Sequence, residues 1–392
     1  MPTGKRSIVT LPSRSSLTDR PLVVVGNPEN RRVRSFVEAA EAMGWRDVVE
    51  IPWLDVLTKE DTLRIRLREG ALLRIESSGE NFEVERLLLL RGAAAVDGFE
   101  SLSPRELRQL SFENGRVLPS RQWYLGWKDV LSEIDVAARK ARVAAIMNTP
   151  SGIAAMFDKA ACHAIQAEAQ VRTPSLLGVP CDFDHLMDLM KQAAVRRVFV
   201  KPCHGSSASG VIALENSPAG LQAFTSLEQQ GGRLFNSLRP RCYRTLAEIK
   251  NLVDAICRHR CIAEAWLPKA GFQGGRIDLR VLVVGGEMGH AVLRHSKSPM
   301  TNLHLGNKRG DLEAFRDHLG EAGWEQVRQT CEKAARAFPD CLYVAVDLLI
   351  SPSLRHCAVA EVNAFGDLLP GLLFEGMSTY ELQLRRLALG GN

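Results

Sequence analysis

The sequence lacks a long apolar run, a paired cysteine motif and a cluster of charge of one sign. No stretch of about 18 apolar residues occurs, so no segment is predicted to span a membrane. The nine cysteines are scattered, without a Cys-x-x-Cys pair or a Cys/His spacing that suits zinc. Small, buried free thiols in a reducing, cytoplasmic environment are therefore predicted.

Charge is too evenly spread to indicate a polyanionic partner. The formal net charge is +5, and no dense block of lysine or arginine occurs. Because proteins that bind nucleic acid usually carry a basic stripe, neither nucleic acid nor a membrane is predicted as a partner. The small positive excess favours an anionic small substrate. Residues 1–20 are polar and lack the apolar core of a signal peptide, so a disordered tail is predicted there.

The chain does contain an alternation of strand and helix patterns, and it is long enough for two or three lobes. Leu22–Val25 and Asp47–Ile51 are predicted strands, separated by a helical pattern over Arg31–Met43. A further strand is predicted over Arg86–Leu90. This alternation indicates an N-terminal α/β domain, residues 21–147, with a mostly parallel sheet.

The second part of the chain changes from mixed patterns to strand-rich ones. Thr149 and Pro150 are typical of a helix start, and one helix is predicted over residues 150–170. The polar stretch Glu215–Arg239 is predicted to be partly helical. A Gly-Gly pair at 285–286 predicts a β-hairpin. Further predicted strands are Arg197–Lys201, Val211–Leu214, Cys261–Trp266, Tyr343–Ile350 and Cys357–Asn363.

A lysine at the end of an apolar strand precedes a loop of small residues. The strand would fix the ammonium group, while glycine and serine let backbone N–H groups approach anionic oxygens such as those of phosphate. Taken alone, a plain turn is the favoured interpretation of such a loop. The residues concerned are Lys201 and, in the loop His204–Gly210, His204, Gly205, Ser206, Ser207 and Gly210.

Two acids and an amide on neighbouring strands form the second feature. Glu361 and Asn363 share one strand face, and a hairpin would place Asp347 nearly opposite Glu361. Because facing carboxylates repel and are costly to bury among apolar residues, a divalent cation is favoured over an exposed acidic face. Carboxylate and amide oxygens are the ligands that magnesium prefers, so the three residues are predicted to hold a metal ion.

Other segments have two interpretations each. The strand end Glu264, Ala265, Trp266 and Leu267 can hold a flat purine or be an ordinary edge strand. Asp278, Arg280 and Arg294 on the predicted hairpin can contact phosphate or form a cross-strand salt bridge. The polar loop that contains Asn302 can close over phosphates or be a surface loop. Arg31 and Arg32, at a helix start, can meet an anionic substrate, but solvated arginines are the favoured interpretation.

Read in order along the chain, these features resemble the ATP-grasp superfamily, and within it the RimK-like carboxylate–amine ligases and an uncharacterised bacterial subgroup. The resemblance covers residues 148–371 and rests on the lysine strand with its loop, Asp278-x-Arg280, Asn302-x-x-x-Gly306 and Asp347 with Glu361-x-Asn363. It implies an ATP-grasp fold of the α/β (α+β) class. The nucleotide would lie between two α+β lobes, residues 148–266 and 267–392, preceded by the N-terminal domain.

The resemblance also implies roles for single residues. ATP and magnesium are the implied cofactors, with two Mg²⁺ ions, or Mn²⁺ in their place, on Asp347, Glu361 and Asn363. Arg280 and Arg294 would be catalytic, steadying the transferred phosphoryl group. The implied cofactor-binding residues are Lys159, Lys201, His204, Gly205, Ser206, Ser207, Gly210, Glu264, Ala265, Trp266, Leu267, Asp278 and Asn302.

The implied activity is that of an ADP-forming ligase, which activates a carboxylate as an acyl phosphate and joins it to an amine. The implied partners are a carboxylate and an amine substrate, whether amino acid, peptide or metabolite. An ATP-binding regulatory or scaffold protein on the same fold is one alternative, and an ATP-grasp kinase is another. The sequence leaves open whether the chain is a homo-oligomer and what the polar segment 215–260 does.

Overall fold

The computed structural model describes residues 17–95, 97–206 and 208–389, without the side chains of Leu238 and His304. Most of the predicted disordered tail, residues 1–16, lies outside these ranges. Leu17 is fully buried in the core. The tail prediction was therefore wrong for residues 17–20, because Leu17 contributes apolar surface that folding removes from water.

The described residues form 16 strands arranged in three sheets. The strand orders are β2-β1-β3-β4, then β5-β10-β6-β7-β8-β9, then β14-β13-β12-β15-β16, with β11 paired to β12. We call these the N-terminal, middle and C-terminal sheets. The strands are β1 (Leu22–Gly26), β2 (Val48–Pro52), β3 (Leu72–Ile75), β4 (Ala145–Ile146), β5 (Leu176–Gly178), β6 (Arg197–Pro202), β7 (Ile212–Ser217), β8 (Gly220–Gln230), β9 (Arg233–Tyr243), β10 (Cys261–Ala265), β11 (Gly271–Phe272), β12 (Gly275–Val284), β13 (Glu287–Ser296), β14 (Lys308–Arg309), β15 (Tyr343–Ile350) and β16 (Cys357–Asn363).

Helices cover the sheets and connect them. Within the described ranges the α-helices are α1 (Arg31–Ala42), α2 (Trp53–Thr58), α3 (Thr62–Arg66), α4 (Phe82–Gly92), α5 (Pro104–Arg108), α6 (Ser120–Lys140), α7 (Pro150–Phe157), α8 (Lys159–Glu168), α9 (Phe183–Gln192), α10 (Leu246–Cys257), α11 (Leu312–Arg336) and α12 (Thr379–Ala388). Short 3₁₀ turns occupy Ala93–Ala95 and Leu303–Leu305.

The N-terminal sheet is parallel throughout. Every residue of β1 is buried, as expected for a central strand of a parallel sheet covered on both faces. The helix α1 begins after Asn30, whose side chain accepts a hydrogen bond from the N–H of Arg32 (2.9 Å). The predicted order of strand, helix and strand at the start of the chain is confirmed.

Residues 86–90 form part of helix α4, so the predicted strand there was wrong. Asn81 caps the helix by accepting a hydrogen bond from the N–H of Val84 (3.1 Å). Leu88 and Leu89 are both fully buried, because α4 packs between other elements and not on one surface. A short continuous apolar run fits a buried helix as well as a buried strand, and here the capping residue was the signal that separates them.

The middle sheet is antiparallel, and two of its six strands, β8 and β9, come from the polar segment 215–260. Strands β8 and β9 are 11 residues each and form one long hairpin, so the prediction of partial helix over Glu215–Arg239 was wrong. Gly231 and Gly232 have φ angles of 54° and 77°, the left-handed values that a tight two-residue hairpin turn requires. This Gly-Gly pair was the signal for the hairpin.

The predicted helix over residues 150–170 is two helices, α7 and α8. Asp158 separates them with an extended ψ of 101°, and its side chain accepts hydrogen bonds from the N–H groups of Ala160 and Ala161 (3.1 and 3.2 Å). This break makes Lys159 the first residue of α8. The chain direction therefore changes immediately before a predicted site residue.

The C-terminal sheet is antiparallel, and its hairpin β12–β13 turns at the predicted glycine pair. Strands β15 and β16 have the bounds that the sequence predicted. In their register Asp347 lies opposite Glu361, and Ala345 lies opposite Asn363. The facing carboxylates that the sequence predicted are thus adjacent in the fold.

The two ends of the described chain share one core. Phe36 of α1 and Tyr380 of α12 meet edge to face at 5.8 Å between ring centroids. All nine cysteines are free, although Cys181 and Cys242 are exposed and not buried as predicted. None of the helices in the described ranges has both the length and the apolar composition needed to cross a bilayer.

Helices α4 and α6 approach each other so closely that glycine is required at their crossing. A Cβ atom added to Gly126 would lie 2.0 Å from the carbonyl oxygen of Leu88, and one added to Gly92 would lie 1.9 Å from that of Gln122. The obstructing atoms are backbone, so only a shift of a whole helix could relieve the overlap. Close helix packing of this kind fixes α6 against the N-terminal sheet.

We predict that Gly126→Ala destabilises the protein by about 1–3 kcal/mol, because the new methyl group overpacks the crossing of the two helices. Chemical denaturation of the variant and of wild type measures the difference in the free energy of unfolding. Ser132→Ala, at an exposed position on the same helix, is the matched control and should change that free energy little. Equal stability of Gly126→Ala and wild type would show that the helices do not meet as described.

Candidate functional site

A cavity of about 650 Å³ lies between the middle and C-terminal sheets and is bordered at one end by loops of the N-terminal sheet. It brings together most of the residues predicted from the sequence. The predicted residues that line it are Lys159, Lys201, Gly205, Ser206, Glu264, Ala265, Leu267, Asp278, Arg280, Arg294, Asn302, Asp347, Glu361 and Asn363.

Three of the described residues that were predicted for the site are not among those lining the cavity. The His204 ring is buried, stacks on Tyr124 (4.1 Å between centroids) and lies 3.2 Å from a carboxylate oxygen of Asp158. The ring does not line the cavity in this structure, and a role of His204 in cofactor binding stays a prediction. Gly210 and Trp266 also lie outside the lining, Trp266 packing on Phe199 at 5.3 Å. Ser207 lies outside the described residues.

The carboxylate of Asp347 is surrounded by arginines. Arg280, opposite it on β12, donates two hydrogen bonds to it at 2.8 and 2.9 Å, and Arg294 donates a third at 3.1 Å. Burial raises the cost of the Asp347 charge, but the two arginines outweigh burial and hold the pKa below its ordinary value. The carboxylate is therefore ionised at neutral pH.

Two lysines pair with the other acids of the cavity. The Lys159 ammonium lies 2.9 Å from Glu361 and donates a hydrogen bond to the carbonyl oxygen of Gly205 (2.5 Å). Lys201 forms an ion pair with Glu264 across β6 and β10. Burial lowers the pKa of Lys201, but Glu264 and Glu361 outweigh burial and leave it raised. Lys201 is therefore cationic, and both lysines face the same space.

A third lysine, Lys269, was missed by the sequence reasoning. It lines the cavity and contacts Asp278 (2.9 Å) and the hydroxyl of Thr301 (2.7 Å). Arg294 engages the second oxygen of Asp278 at 2.6 Å, which is the cross-strand salt bridge that the sequence left as an alternative. Lys269 follows the strand β10 in the sequence, and a lysine four residues after an acidic strand end was the only signal for it.

The loop after Lys201 is held by the hairpin β8–β9. Asn236 accepts a hydrogen bond from the N–H of Gly210 (3.0 Å) and donates one to the Ser209 hydroxyl (2.5 Å). Its own N–H donates to the carbonyl oxygen of Gly115, in the segment between α5 and α6 (2.7 Å). The polar segment whose role the sequence left open thus fixes the loop from one side.

Asp347, Glu361 and Asn363 fit a hard divalent cation by donor chemistry and by position. They combine two carboxylates and one amide, the oxygen ligands that Mg²⁺ prefers, and all three line the cavity on adjacent strands. The amide nitrogen of Asn363 is buried without a hydrogen-bond partner among the described residues, so binding a cation through the amide oxygen would break no hydrogen bond of this nitrogen. Groups of three or more His, Cys, Asp or Glu suited to a metal are absent from the described part of the chain.

We predict that Asp278→Asn destabilises the protein by about 3–5 kcal/mol at neutral pH, because it leaves Lys269 and Arg294 buried with less compensating charge. Burial disfavours the Asp278 charge, but Lys269 and Arg294 hold the folded-state pKa below the ordinary value of 3.8. The carboxylate therefore stabilises the fold above that pH, and this contribution is lost as the pH falls through the folded-state pKa.

Urea denaturation over a pH series checks this prediction. The difference between wild type and Asp278→Asn should shrink as the pH falls below 3.8. Asp317→Asn, at an exposed position of α11, is the control for a lost carboxylate. A difference between wild type and Asp278→Asn that stays constant with pH would contradict the assigned ionisation.

Comparisons with known proteins agree with this geometry. A family described as YheC/D-like ATP-grasp matches residues 158–348, slightly less than half of the chain. No curated protein matches the sequence. The matched segment runs from the start of α8 to β15, so it includes the lysines, the loop and Asp347.

Several solved structures resemble the entire fold. The ATP-grasp ligase PsnB, in complex with a phosphomimetic variant of its minimal precursor, Mg and ADP, superposes with a TM-score of 0.55 at 15% identity, covering 95% of this chain and 99% of PsnB. The D-cycloserine synthetase DcsG superposes with a TM-score of 0.54 at 12% identity, covering 94% of this chain and 99% of DcsG. The D-alanine–D-alanine ligase of Bacillus anthracis superposes with a TM-score of 0.50 at 11% identity, covering 95% of this chain and 97% of the ligase. The chain has the ATP-grasp fold.

Proposed function

We propose that the protein is an ATP-dependent ligase that activates a carboxylate as an acyl phosphate and joins it to an amine, releasing ADP and phosphate. One observation carries the proposal. Two lysines, a glycine- and serine-containing loop, two arginines and the facing acids Asp347 and Glu361 line a single cavity between two sheets. Phosphoryl transfer needs positioning and charge neutralisation more than covalent chemistry, and this arrangement supplies both.

The nucleotide phosphates are proposed to lie between Lys159, Lys201 and the loop at Gly205 and Ser206. The two ammonium groups reach the cavity from different elements, α8 and β6, so they can contact a triphosphate from two sides. On ligand binding, phosphate oxygens would take the place of Glu361 and Glu264 as partners of the lysines. Lys269 adds a third cation on the opposite wall.

The base is proposed to lie against the strand end Glu264–Leu267. Leu267, Phe199 and Leu349 give the cavity apolar surface beside the polar backbone of that strand end. A purine needs apolar contacts on its faces and a few polar groups at its edge. The same segment thus combines both requirements, and Asp278 and Asn302, further along the cavity, stay predicted contacts of the ribose and the phosphates.

Asp347, Glu361 and Asn363 would hold magnesium, with two ions or Mn²⁺ as the finer form of the proposal. When bound, the metal neutralises phosphate charge and fixes the phosphate geometry. Arg280 and Arg294 hold the Asp347 carboxylate in a fixed position, which orients it for that role. Their remaining N–H groups are proposed to steady the phosphoryl group during transfer.

The proposed reaction has two steps. A carboxylate oxygen of the substrate attacks the γ-phosphorus, the bond to the β-phosphate oxygen breaks, and ADP leaves. The amine nitrogen then attacks the carbonyl carbon, phosphate leaves and the nitrogen loses a proton, giving an amide. The loop braced by Asn236 would exclude water from the acyl phosphate between the two steps.

Relatives of the same fold are consistent with this chemistry. A PsnB complex contains a precursor together with Mg and ADP, and the MdnC structure from Microcystis aeruginosa contains a precursor peptide. A peptide or amino acid is accordingly a proposed substrate. The RimK-like subgroup, the domain bounds 21–147, 148–266 and 267–392, and cytoplasmic location also belong to the proposal.

We predict release of ADP and phosphate that depends on both an acid and an amine. Purified protein would be incubated with Mg-ATP and a panel of amino acids and small carboxylates, and the nucleotide products separated by chromatography. Asp347→Asn should lower the rate at least about 100-fold, because it removes a carboxylate ligand of the proposed magnesium site, whose positive charge would offset that of the transferred phosphoryl group. Formation of AMP and pyrophosphate would exclude the mechanism. A phosphorylated alcohol as product would favour a kinase, and nucleotide binding without turnover a regulatory protein.

We predict that Asn236→Ala raises the KM for ATP about tenfold while the melting temperature changes little. The substitution removes two hydrogen bonds to the loop at Ser209 and Gly210, and each contributes about 0.5–1.5 kcal/mol. Steady-state kinetics over a range of Mg-ATP concentrations measures the effect. Gln229→Ala, at an exposed position of the same hairpin, is the control. An unchanged KM in Asn236→Ala would show that the hairpin does not position the loop.

A further inference from the structure

The end of the cavity beyond Asn363 is built differently from the nucleotide site. Arg32, at the start of α1, lines the cavity there, and its guanidinium lies 2.8 Å from the buried carboxylate of Asp367. The Arg32 side chain keeps 19% of its surface exposed, and only one of its N–H groups has a hydrogen-bond partner among the described residues. Asp367 lies four positions after Asn363 in the sequence, so this end adjoins the proposed metal site.

Asp367 is held in place by fully buried groups. Its second carboxylate oxygen accepts hydrogen bonds from Arg74 (2.7 Å) and from the side chain of Gln383 (3.0 Å). Arg74 in turn contacts Glu76 (2.7 Å) and lies over the ring of Phe36 at 4.1 Å. Because each of these side chains is fixed by more than one contact, Arg32 is presented to the cavity in a fixed position.

A second arginine reaches the same end of the cavity. Arg309 on β14 lies opposite Arg294 in the strand register and donates a hydrogen bond to the carbonyl oxygen of Pro370 (3.0 Å). Pro370 and Asp367 belong to one loop, so the two arginines contact positions three residues apart. Within the described chain, no carboxylate forms an ion pair with Arg309.

Arg309 is the arginine of this end without an ion-pair partner among the described residues. Arg32 and Arg74 balance the buried carboxylates of Glu76 and Asp367, while Glu80 and Glu85 line the neighbouring wall. An incoming carboxylate could pair with Arg309 and accept hydrogen bonds from the free N–H groups of Arg32. Planar guanidinium groups match the geometry of a carboxylate better than an ammonium does.

We propose that Arg32 and Arg309 bind a carboxylate of the substrate that does not react. The ligand class is an amino acid, a peptide terminus or a dicarboxylic acid, and the proposal rests on the ligase function stated above. Glu80 and Glu85, on the neighbouring wall, favour the amino acid, because an ammonium group would compensate them. Arg31, by contrast, is exposed and does not line the cavity, which agrees with the solvated position that the sequence favoured for it.

The test measures binding without ATP, so it does not depend on turnover. Isothermal titration would use L- and D-amino acids with their α-carboxamides, and succinate and glutarate with their monoamides. Wild type should bind one of these acids more tightly than its amide. Arg32→Gln should weaken binding of that acid tenfold to a hundredfold, as expected for the loss of charged hydrogen bonds that contribute about 1.5–3 kcal/mol. Binding of the amide should change little.

Three further variants make the outcome decisive. Arg31→Gln, with the same loss of charge next to Arg32, should bind the acid like wild type. Arg309→Gln should weaken binding of the acid without affecting folding, because this arginine is exposed. Arg32→Lys should retain part of the affinity for the acid. Tighter binding of amino acids than of dicarboxylates would show that the bound carboxylate belongs to an amino acid. The reverse preference would show that it belongs to a dicarboxylic acid.

The proposal is overturned if Arg32→Gln and Arg309→Gln keep the preference for acid over amide, or if none of the acids binds wild type. Failure of the ligase proposal would leave a different pattern. In that case the acid would bind in an Arg32-dependent manner, while Mg-ATP would give no ADP with any acid and amine.

Discussion

The ion pairs of Asp347 are the interactions on which the site depends. This carboxylate lies opposite another acid, Glu361, in a strand pair with a fully buried central strand. A buried carboxylate without a partner costs several kcal/mol, and removing one partner of a buried pair is more costly than the pair is worth. Arg280 and Arg294 therefore do more than line a cavity. They make it possible for the C-terminal sheet to carry an acidic face where an apolar one would otherwise be expected.

The other acids of the cavity also have cationic partners. Asp278 pairs with Arg294 and Lys269, Glu361 with Lys159, and Glu264 with Lys201. Each acid in this group has a cation from a different strand, helix or loop. Lys159 also joins the two sheets, because it contacts both Glu361 of the C-terminal sheet and the carbonyl oxygen of Gly205, in the loop after β6 of the middle sheet. A single neutralised side chain would leave its partner charged in a region with little water, and the loss would affect both sheets.

The sequence predicted the parts of the molecule that local chemistry determines. Strands β15 and β16 and the hairpin β12–β13 follow from apolar alternation and a Gly-Gly turn, and the register that unites Asp347 with Glu361 follows from them. The strand predicted at Arg86–Leu90 was wrong because an apolar run does not distinguish a helix buried on two sides from a strand. The hairpin β8–β9 was missed although Gly231 and Gly232 signalled it, since its polar strands have no clear alternation. Lys269 and Asn236 could not be predicted, because their partners are distant in sequence and only the tertiary fold brings them together.

The pairing of each lysine with an acid has a consequence for how the cavity exchanges its contents. Lys159 and Lys201 are never left without a counter-charge, because Glu361 and Glu264 take that place in the absence of ligand. When an anionic ligand enters, it therefore replaces a glutamate as the partner of each lysine. The net binding free energy is the difference between the attraction of the lysine to the ligand and its similar attraction to the glutamate. Such an exchange favours moderate affinity and ready departure of an anionic ligand, as the proposed ligase reaction requires.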